Sequence, residues 1–182
     1  MKIISGKYKG RNIEGFDIVG TRPTMDRVKE SLFATIQNYI DDSVVLDLFS
    51  GSGNLGLEAL SEGAKYAYLV DHNFKAIKTI NKNLTNIGIK EAETVNMDYK
   101  KALSYFNEKN IKFDLIFLDP PYNTDFIENS LELISKYDLL SNNGLIVCES
   151  DSLDRIVYND MYKAVKDKKY GDKYIVLLEK MC

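Results

Sequence analysis

Apolar residues in this chain fall in short blocks separated by polar turns, and the blocks alternate between two periods. Val44–Leu48, Tyr66–Val70, Phe113–Leu118 and Gly144–Glu149 are runs of strand length with apolar residues on both faces, the pattern of strands covered on both sides. A shorter strand is predicted around Glu93–Asn96. Between these runs apolar residues recur at helical spacing. Helices are predicted over Asn54–Glu62 (closed by Gly63), Asn73–Ile87 (ended by Gly88), Tyr99–Asn107 and Asp125–Tyr137. Upstream, Val28, Leu32, Ile36 and Tyr39 predict a helix over Met25–Tyr39 with Thr24 as its cap, and Asp41-Asp42-Ser43 ends it. Alternating segments at Lys2–Ile4 and Arg11–Ile13, joined through Gly6 and Gly10, predict an N-terminal β-hairpin. Tyr162–Asp167 and Tyr174–Glu179 flank Lys168–Lys173 and predict a closing hairpin. Repeated βα units call for an α/β fold: a mostly parallel sheet with helices on both faces, to which the closing hairpin adds one antiparallel strand. The expected organisation is a single domain over 1–182, with 1–23 as an N-terminal extension on a core of 24–182.

Chemistry concentrates at two strand ends. Phe113–Leu118 runs into Asp119-Pro120-Pro121-Tyr122. Each proline fixes φ and removes an N–H, and Pro121 keeps Pro120 out of the helical region. The Pro120 carbonyl is then free to point outward beside the Asp119 carboxylate. Two acceptors and a flat ring suit a planar group bearing an NH2, such as a nucleobase. Val44–Leu48 in turn runs into Phe49-Ser50-Gly51-Ser52-Gly53-Asn54-Leu55-Gly56, a match to G-x-G-x-x-G between a strand and a helix. Asp71 stands twenty residues after Gly51, where a carboxylate accepts from ribose hydroxyls. Read literally this is a dinucleotide fingerprint. Asp47 favours a different ligand, because an acid beside the loop suits a cation better than a pyrophosphate. S-adenosylmethionine, a sulfonium with an ammonium group, fits that preference. Asn96-Met97-Asp98 follows the third strand, where the adenine of such a donor lies. There Asp98 accepts from the adenine amine, caps the helix at Tyr99, or does both. His72 is expected to be a solvated loop residue.

In this strand order the first and fourth strands flank the topological switch point, so both motifs face one cleft. An exocyclic amine is a poor nucleophile because its lone pair is delocalised into the ring. Acceptors at Asp119 and Pro120 orient it for attack on a methyl carbon, and Tyr122 stacks on the base.

Composition narrows the field. An apolar fraction of 45% and a charged fraction of 28% are those of an ordinary globular chain. No apolar run reaches the ~18–20 residues that cross a membrane, and the N-terminus lacks a signal-like apolar stretch, so a cytoplasmic protein is expected. His72 is the single histidine, and Cys148 and Cys182 make no ligand spacing, so no metal site is expected. The net charge of −3 is uneven. Residues 1–35 carry Lys2, Lys7, Lys9, Arg11, Arg22, Arg27 and Lys29 against Glu14, Asp17, Asp26 and Glu30, a +3 segment on a −6 body. A local basic arm of this kind is able to grip phosphate.

The chain resembles the bacterial small-subunit ribosomal RNA guanine-N2 methyltransferases of the RsmD family, over essentially its whole length. Met1–Arg11 is similar to that family's N-terminal hairpin, and Thr21-Arg22-Pro23-Thr24-Met25-Asp26-Arg27-Val28-Lys29-Glu30-Ser31-Leu32-Phe33 to its helix entry, the most family-specific segment. Phe49–Gly53, Gly56–Ser61 and Asp119–Tyr122 match as well. The resemblance implies a Rossmann-like class I methyltransferase fold of seven strands. It also implies S-adenosylmethionine as cofactor and methylation of a guanine N2 in small-subunit rRNA, within an assembling subunit, by a monomer. Asp119, Pro120 and Tyr122 are the expected catalytic residues. Asp47, Phe49, Ser50, Gly51, Gly53, Asp71, Met97 and Asp98 are expected to bind cofactor. Lys7, Lys9, Arg11, Arg22, Arg27 and Pro121 are expected to face RNA. A DNA adenine-N6 methyltransferase would use the same Asp119–Tyr122 geometry, but the chain shows no target-recognition domain. A nicotinamide-dependent dehydrogenase is opposed by Asp47, and a non-catalytic RNA-binding assembly factor by the intact Asp119–Tyr122 motif.

Overall fold

The structure, a computed structural model, describes residues 1–15 and 23–181. Its elements follow in the order α1 (Pro23–Thr35), β1 (Val44–Asp47), α2 (Asn54–Ser61), β2 (Tyr66–Asp71), α3 (Phe74–Ile87), β3 (Ala92–Asn96), α4 (Tyr99–Glu108), β4 (Phe113–Leu118), α5 (Phe126–Lys136), β5 (Leu140–Ser150), β6 (Tyr162–Tyr170) and β7 (Lys173–Lys180). The seven strands form one sheet in the order β3-β2-β1-β4-β5-β7-β6. β1 lies parallel to both β2 and β4, with Val45 beside Ala67 on one edge and Leu46 beside Ile116 on the other. β4 and β5 are parallel, and β7 runs antiparallel to both β5 and β6. The order reverses between β1 and β4, so their carboxyl ends open the switch-point crevice.

Alternate strand residues feed two cores. Val45, Leu69, Leu115, Phe117 and Leu145 pack against α1, α2 and α3. Leu46, Val70, Ile116, Leu118 and Ile146 pack against α4 and α5. With both faces covered, polar groups are left the strand ends.

Four expectations need correction. The N-terminal hairpin is not formed as two strands: Lys2 and Asn12 make one isolated antiparallel bridge. The Ile3 N–H donates to the Arg11 carbonyl (3.0 Å) and the Ile13 N–H to the Met1 carbonyl (2.8 Å), but the next donors turn to α2. Ile4 and Ser5 N–H groups donate to the two Glu58 carboxylate oxygens (2.9 and 3.1 Å), and the Lys7 N–H donates to the Ser61 carbonyl (2.8 Å). Donors committed to a helix cannot extend a ladder. Gly6 makes the approach possible. Its φ is +86°, and a Cβ there would lie 1.9 Å from the Ser61 carbonyl oxygen.

The first helix begins at Pro23, not Met25, which places Thr24 in its first turn instead of at a cap; proline is well suited to that position. It stops at Thr35, whose hydroxyl donates back to the Ser31 carbonyl (3.0 Å), and a 3-10 turn at Gln37–Tyr39 continues it. β5 begins at Leu140, paired with Phe113 across a register shift, ahead of the expected Gly144. The closing turn is only Gly171-Asp172. Lys168 and Lys169 are paired strand residues opposite Ile175 and Tyr174, because an edge strand tolerates exposed lysines.

One buried ion pair joins the N-terminal segment, α1 and α2. Lys29 Nζ lies 2.9 Å from Glu58 Oε1, with both side chains shielded from solvent. The ammonium also donates to the Lys2 carbonyl (2.7 Å) and to Asn54 Oδ1 (2.8 Å), so its three protons are all placed. Lys29→Met, which strands Glu58, is expected to destabilise the fold by about 3 kcal/mol. Lys29→Met/Glu58→Gln should recover part of the loss. Urea unfolding checks both, and a single-variant loss below about 1 kcal/mol would contradict this account of the docking.

Candidate active site

β1 ends at Asp47, and the loop after it is fixed by short-range hydrogen bonds. The Ser50 hydroxyl donates to the Asp47 carbonyl (2.6 Å), and the Ser50 N–H to the Val70 carbonyl (2.8 Å). The Gly51 N–H donates to Asp71 Oδ2 (2.9 Å), whose Oδ1 accepts from the Asn73 N–H (2.9 Å). Gly53, in the left-handed region, opens α2. Gly56 packs so closely that a Cβ would stand 2.2 Å from Leu69 Cδ2. Its N–H donates to Asp47 Oδ2 (3.1 Å). The buried Asn83 side chain donates to the Ser52 and Glu14 carbonyls (3.0 and 3.1 Å), tying this loop to the N-terminal segment.

Beside the loop lies a cavity of about 530 Å³. Asp47, Phe49, Ser50 and Gly51 form one wall; Asp119 at the end of β4 and Glu149 near the end of β5 form another. Lys29 of α1 and the turn from Tyr170 to Lys173 complete it. Asp47 is buried, and its Oδ1 meets no donor. Burial pushes its carboxyl up to about 7; the Gly56 N–H opposes the rise and Asp71 adds to it. Burial also holds the Asp119 carboxyl well above the usual carboxylate range. The Glu149 charge raises it further, Lys173 opposes, and Asp47 adds a smaller push. Lys173 Nζ lies 2.6 Å from Glu149 Oε1. Burial alone would lower the Lys173 ammonium, but the Glu149 and Asp119 carboxylates raise it above its ordinary value. The arrangement offers a ligand two under-satisfied acids at the ends of neighbouring strands, with an ion pair beside one of them.

Residues 1–179 match the family described as Conserved hypothetical protein 95. This chain belongs to that family, the RsmD family. Among its relatives, YlbH of Bacillus subtilis is 43% identical over 152 residues, 83% of each chain. Ribosomal RNA small subunit methyltransferase D of Haemophilus influenzae is 33% identical over 175 residues, 94% of this chain and 89% of that protein. The solved structure of yhhF from Escherichia coli matches with a TM-score of 0.86 at 31% identity, covering 100% of this chain and 98% of that one.

In this RsmD-family chain the cavity gathers Asp47, Phe49, Ser50, Gly51 and Asp119. Phe49 stacks on Phe126 (ring centroids 5.9 Å) and tilts against Tyr99 (5.4 Å), which fixes its ring. Pro120 is buried, Pro121 is exposed and Tyr122 is 41% exposed; none of the three lines the cavity, but Lys173, Glu149 and Asp119 act on the Tyr122 hydroxyl. Gly53, Asp71, Met97 and Asp98 are not brought to the cavity wall. Asp71 braces the loop, Met97 packs on the α4–α5 core, and Asp98 caps α4 by accepting the Lys100 N–H (2.9 Å). His72 is exposed, as expected of a loop residue. Lys7, Lys9 and Arg27 are exposed, Arg11 donates to the Asn86 carbonyl, and Arg22 and Cys182 lie outside the described residues. Cys148 is a buried core thiol, its pKa raised by burial. Among the described residues no cluster of three or more metal-ligating side chains occurs, and no helix is long and apolar enough to cross a membrane.

Sequence reasoning missed Glu149, Lys173, Tyr170 and Lys29. Glu149 carried a usable signal, since it is an acid near the end of the strand that pairs in parallel with the one leading into Asp119. Lys173 carried none, being one of several lysines in an expected turn.

The raised Asp47 fixes a sign. Its folded-state carboxyl holds a proton from about pH 4 to about 7 that the unfolded chain has lost, so it subtracts stability as pH rises through that window. Asp47→Asn is expected to raise Tm at pH 8 and to leave it unchanged near pH 3. Thermal scans at both values check this; an unchanged Tm at pH 8 would contradict a buried, under-paired Asp47.

Proposed function

We propose that this chain transfers a methyl group from S-adenosylmethionine to the exocyclic N2 amine of a guanine in small-subunit rRNA. The observation that carries the reading is that Asp47 and Asp119, on different strands, face one cavity in a member of this family. The residues present fit the cofactor. The unpartnered Asp47 Oδ1 is a buried acceptor suited to an ammonium group, and Phe49, Ser50 and Gly51 line the space beside it. Gly53, Asp71, Met97 and Asp98 stand on the adjoining loop and strand ends, where the adenosine half would be held. When bound, S-adenosylmethionine supplies a methyl carbon whose bond to sulfur breaks as nitrogen attacks, the electron pair staying on sulfur.

The chain's residues prepare the attacking amine. Asp119, ionised, accepts one N–H, and the Pro120 carbonyl accepts the other. This orients the nitrogen and returns electron density to it. As the new N–C bond forms, the nitrogen sheds a proton, and Asp119 is its acceptor. A carboxyl held above its usual range is the better base for that step. Tyr122 and Pro121, exposed just after Asp119, offer a stacking surface for the extruded base. The substrate is the RNA of an assembling small subunit, acted on by a monomer in the cytoplasm. Lys7 and Lys9, exposed on the N-terminal segment, and Arg27 on α1 provide the phosphate contacts.

Radiolabelled methyl transfer to immature small subunits, naked rRNA and DNA, run in parallel, tests the assignment. Transfer is expected on the ribosomal substrate and not on DNA. Asp119→Ala is expected to lower kcat by about 100-fold or more, with S-adenosylmethionine affinity by calorimetry within a few-fold of wild type. A folded Asp119→Ala protein near wild-type rate sinks the proposal. Separately, Lys7→Gln/Lys9→Gln is expected to flatten the slope of log K against log salt by roughly one to two units in RNA binding. An unchanged slope removes the N-terminal segment from the interface.

A further inference from the structure

We propose that Glu149 and Lys173 read the Watson–Crick edge of the target base and select guanine over adenine. This rests on the N2-methylation reading above and assigns its specificity to two further residues. In the parallel β4–β5 pair, Leu118 lies beside Cys148, so the next position puts Glu149 beside Asp119. Both line the cavity, and Lys173 joins them from the start of β7. The wall therefore presents three groups in a row: an acceptor at Asp119, an acceptor at Glu149, and a donor at Lys173, whose Nζ is 2.6 Å from Glu149 Oε1.

A guanine edge presents the complement in the same order: the N2 amine donates, N1–H donates and O6 accepts. With the amine on Asp119, N1–H meets Glu149 and O6 meets Lys173. Adenine presents its amine followed by a bare N1 lone pair. Placed with its amine on Asp119, it would set that lone pair against the Glu149 carboxylate and leave Lys173 without an acceptor. Rejection by an unpaired buried group is the strong form of selectivity.

A second observation supports a ligand. Glu149 is only 7% exposed, and among the described residues Lys173 is the one cation that meets its carboxylate. Both its oxygens retain acceptor capacity, and a buried carboxylate so thinly satisfied ordinarily finds further donors. Although Lys173 Nζ is 2.6 Å away, Glu149 Oε1 receives no aligned hydrogen bond, so the Lys173 ammonium protons are not committed there.

The base analogue 2,6-diaminopurine separates this inference from the function beneath it. It keeps the N2 amine but replaces N1–H by a lone pair and O6 by a second amine. Small-subunit rRNA rebuilt by ligation, with guanine or 2,6-diaminopurine at the mapped nucleotide and reconstituted into particles, serves as the substrate pair. Wild type is expected to prefer guanine on the order of 10- to 100-fold in kcat/KM. In Glu149→Gln, whose amide donates to the bare N1, the preference is expected to collapse toward unity or reverse. Lys173→Met should narrow it too, because the conflict of two facing N–H donors, the ammonium and the second amine, is gone. Thermal unfolding and calorimetry with S-adenosylmethionine identify any variant that fails to fold, and the guanine-to-analogue ratio is a readout that a merely structural ion pair would not move. A ratio unchanged in both folded variants overturns the inference while leaving N2 methylation standing. Absence of N2-methylguanosine with wild-type enzyme overturns the proposed function and this inference with it.

Discussion

Among the described residues, Asp47, Asp119, Glu149 and, on α2, Glu58 crowd one end of this sheet, with the Lys29 and Lys173 ammonium groups among them. Lys29 is wholly engaged by Glu58, Asn54 and the Lys2 carbonyl. Lys173 sits on Glu149. Among the described residues no cation forms an ion pair with Asp47 or Asp119, and burial pushes both carboxyls upward. The fold imposes this crowding. Strands covered on both faces cannot carry acids along their length, so acids collect where the chain leaves the sheet. A cavity ringed by under-compensated acids calls for a ligand that brings positive charge or N–H donors. A methyl-donating sulfonium with its ammonium group on one side, and a base edge rich in N–H on the other, both satisfy that demand.

The same imbalance explains the N-terminal segment. Residues 1–15 contribute little sheet; they hold position through donors aimed at α2 and through Ile3 and Ile13 in the core. Glu58 is the pivot, accepting two backbone N–H groups while neutralised by Lys29. Since α2 is the helix opened by the glycine loop, this docking braces the wall that carries Asp47. Glu62, one turn on, has its carboxyl raised to about 8 by burial and by Glu58, so the region has no room for another uncompensated charge.

Much of this was legible in the chain. Val44–Leu48 and Phe113–Leu118 were marked as buried strands by apolar content alone, and the glycine loop and Asp119–Tyr122 were placed by lying at their ends. What periodicity could not show was where backbone donors go once chains meet. Lys2–Ile4 and Arg11–Ile13 alternate like strands, yet their neighbours bond to α2, a partner some fifty residues away. Lys168 and Lys169 look like turn residues, yet they pair in an edge strand where exposure is harmless. Lys29 looks like one more surface charge of a basic arm and is among the least exposed lysines possible. Each miss is a tertiary contact overriding a local signal.

The two acids of the glycine loop show how far spacing alone misleads. By position Asp71 is the ligand-binding acid of a dinucleotide fingerprint and Asp47 an oddity. In the folded chain Asp71 has a backbone N–H on each oxygen, Gly51 on one and Asn73 on the other, and it holds the loop in shape. Asp47 has one oxygen on Gly56 and the other on nothing. A carboxylate satisfied by the backbone is a brace with spare lone pairs, whereas one left half-empty in a cavity wall gains most from an incoming donor. The acid that breaks the dinucleotide pattern is thus the one the fold leaves unsatisfied, and a cationic ligand follows from the same interaction that argued against a pyrophosphate.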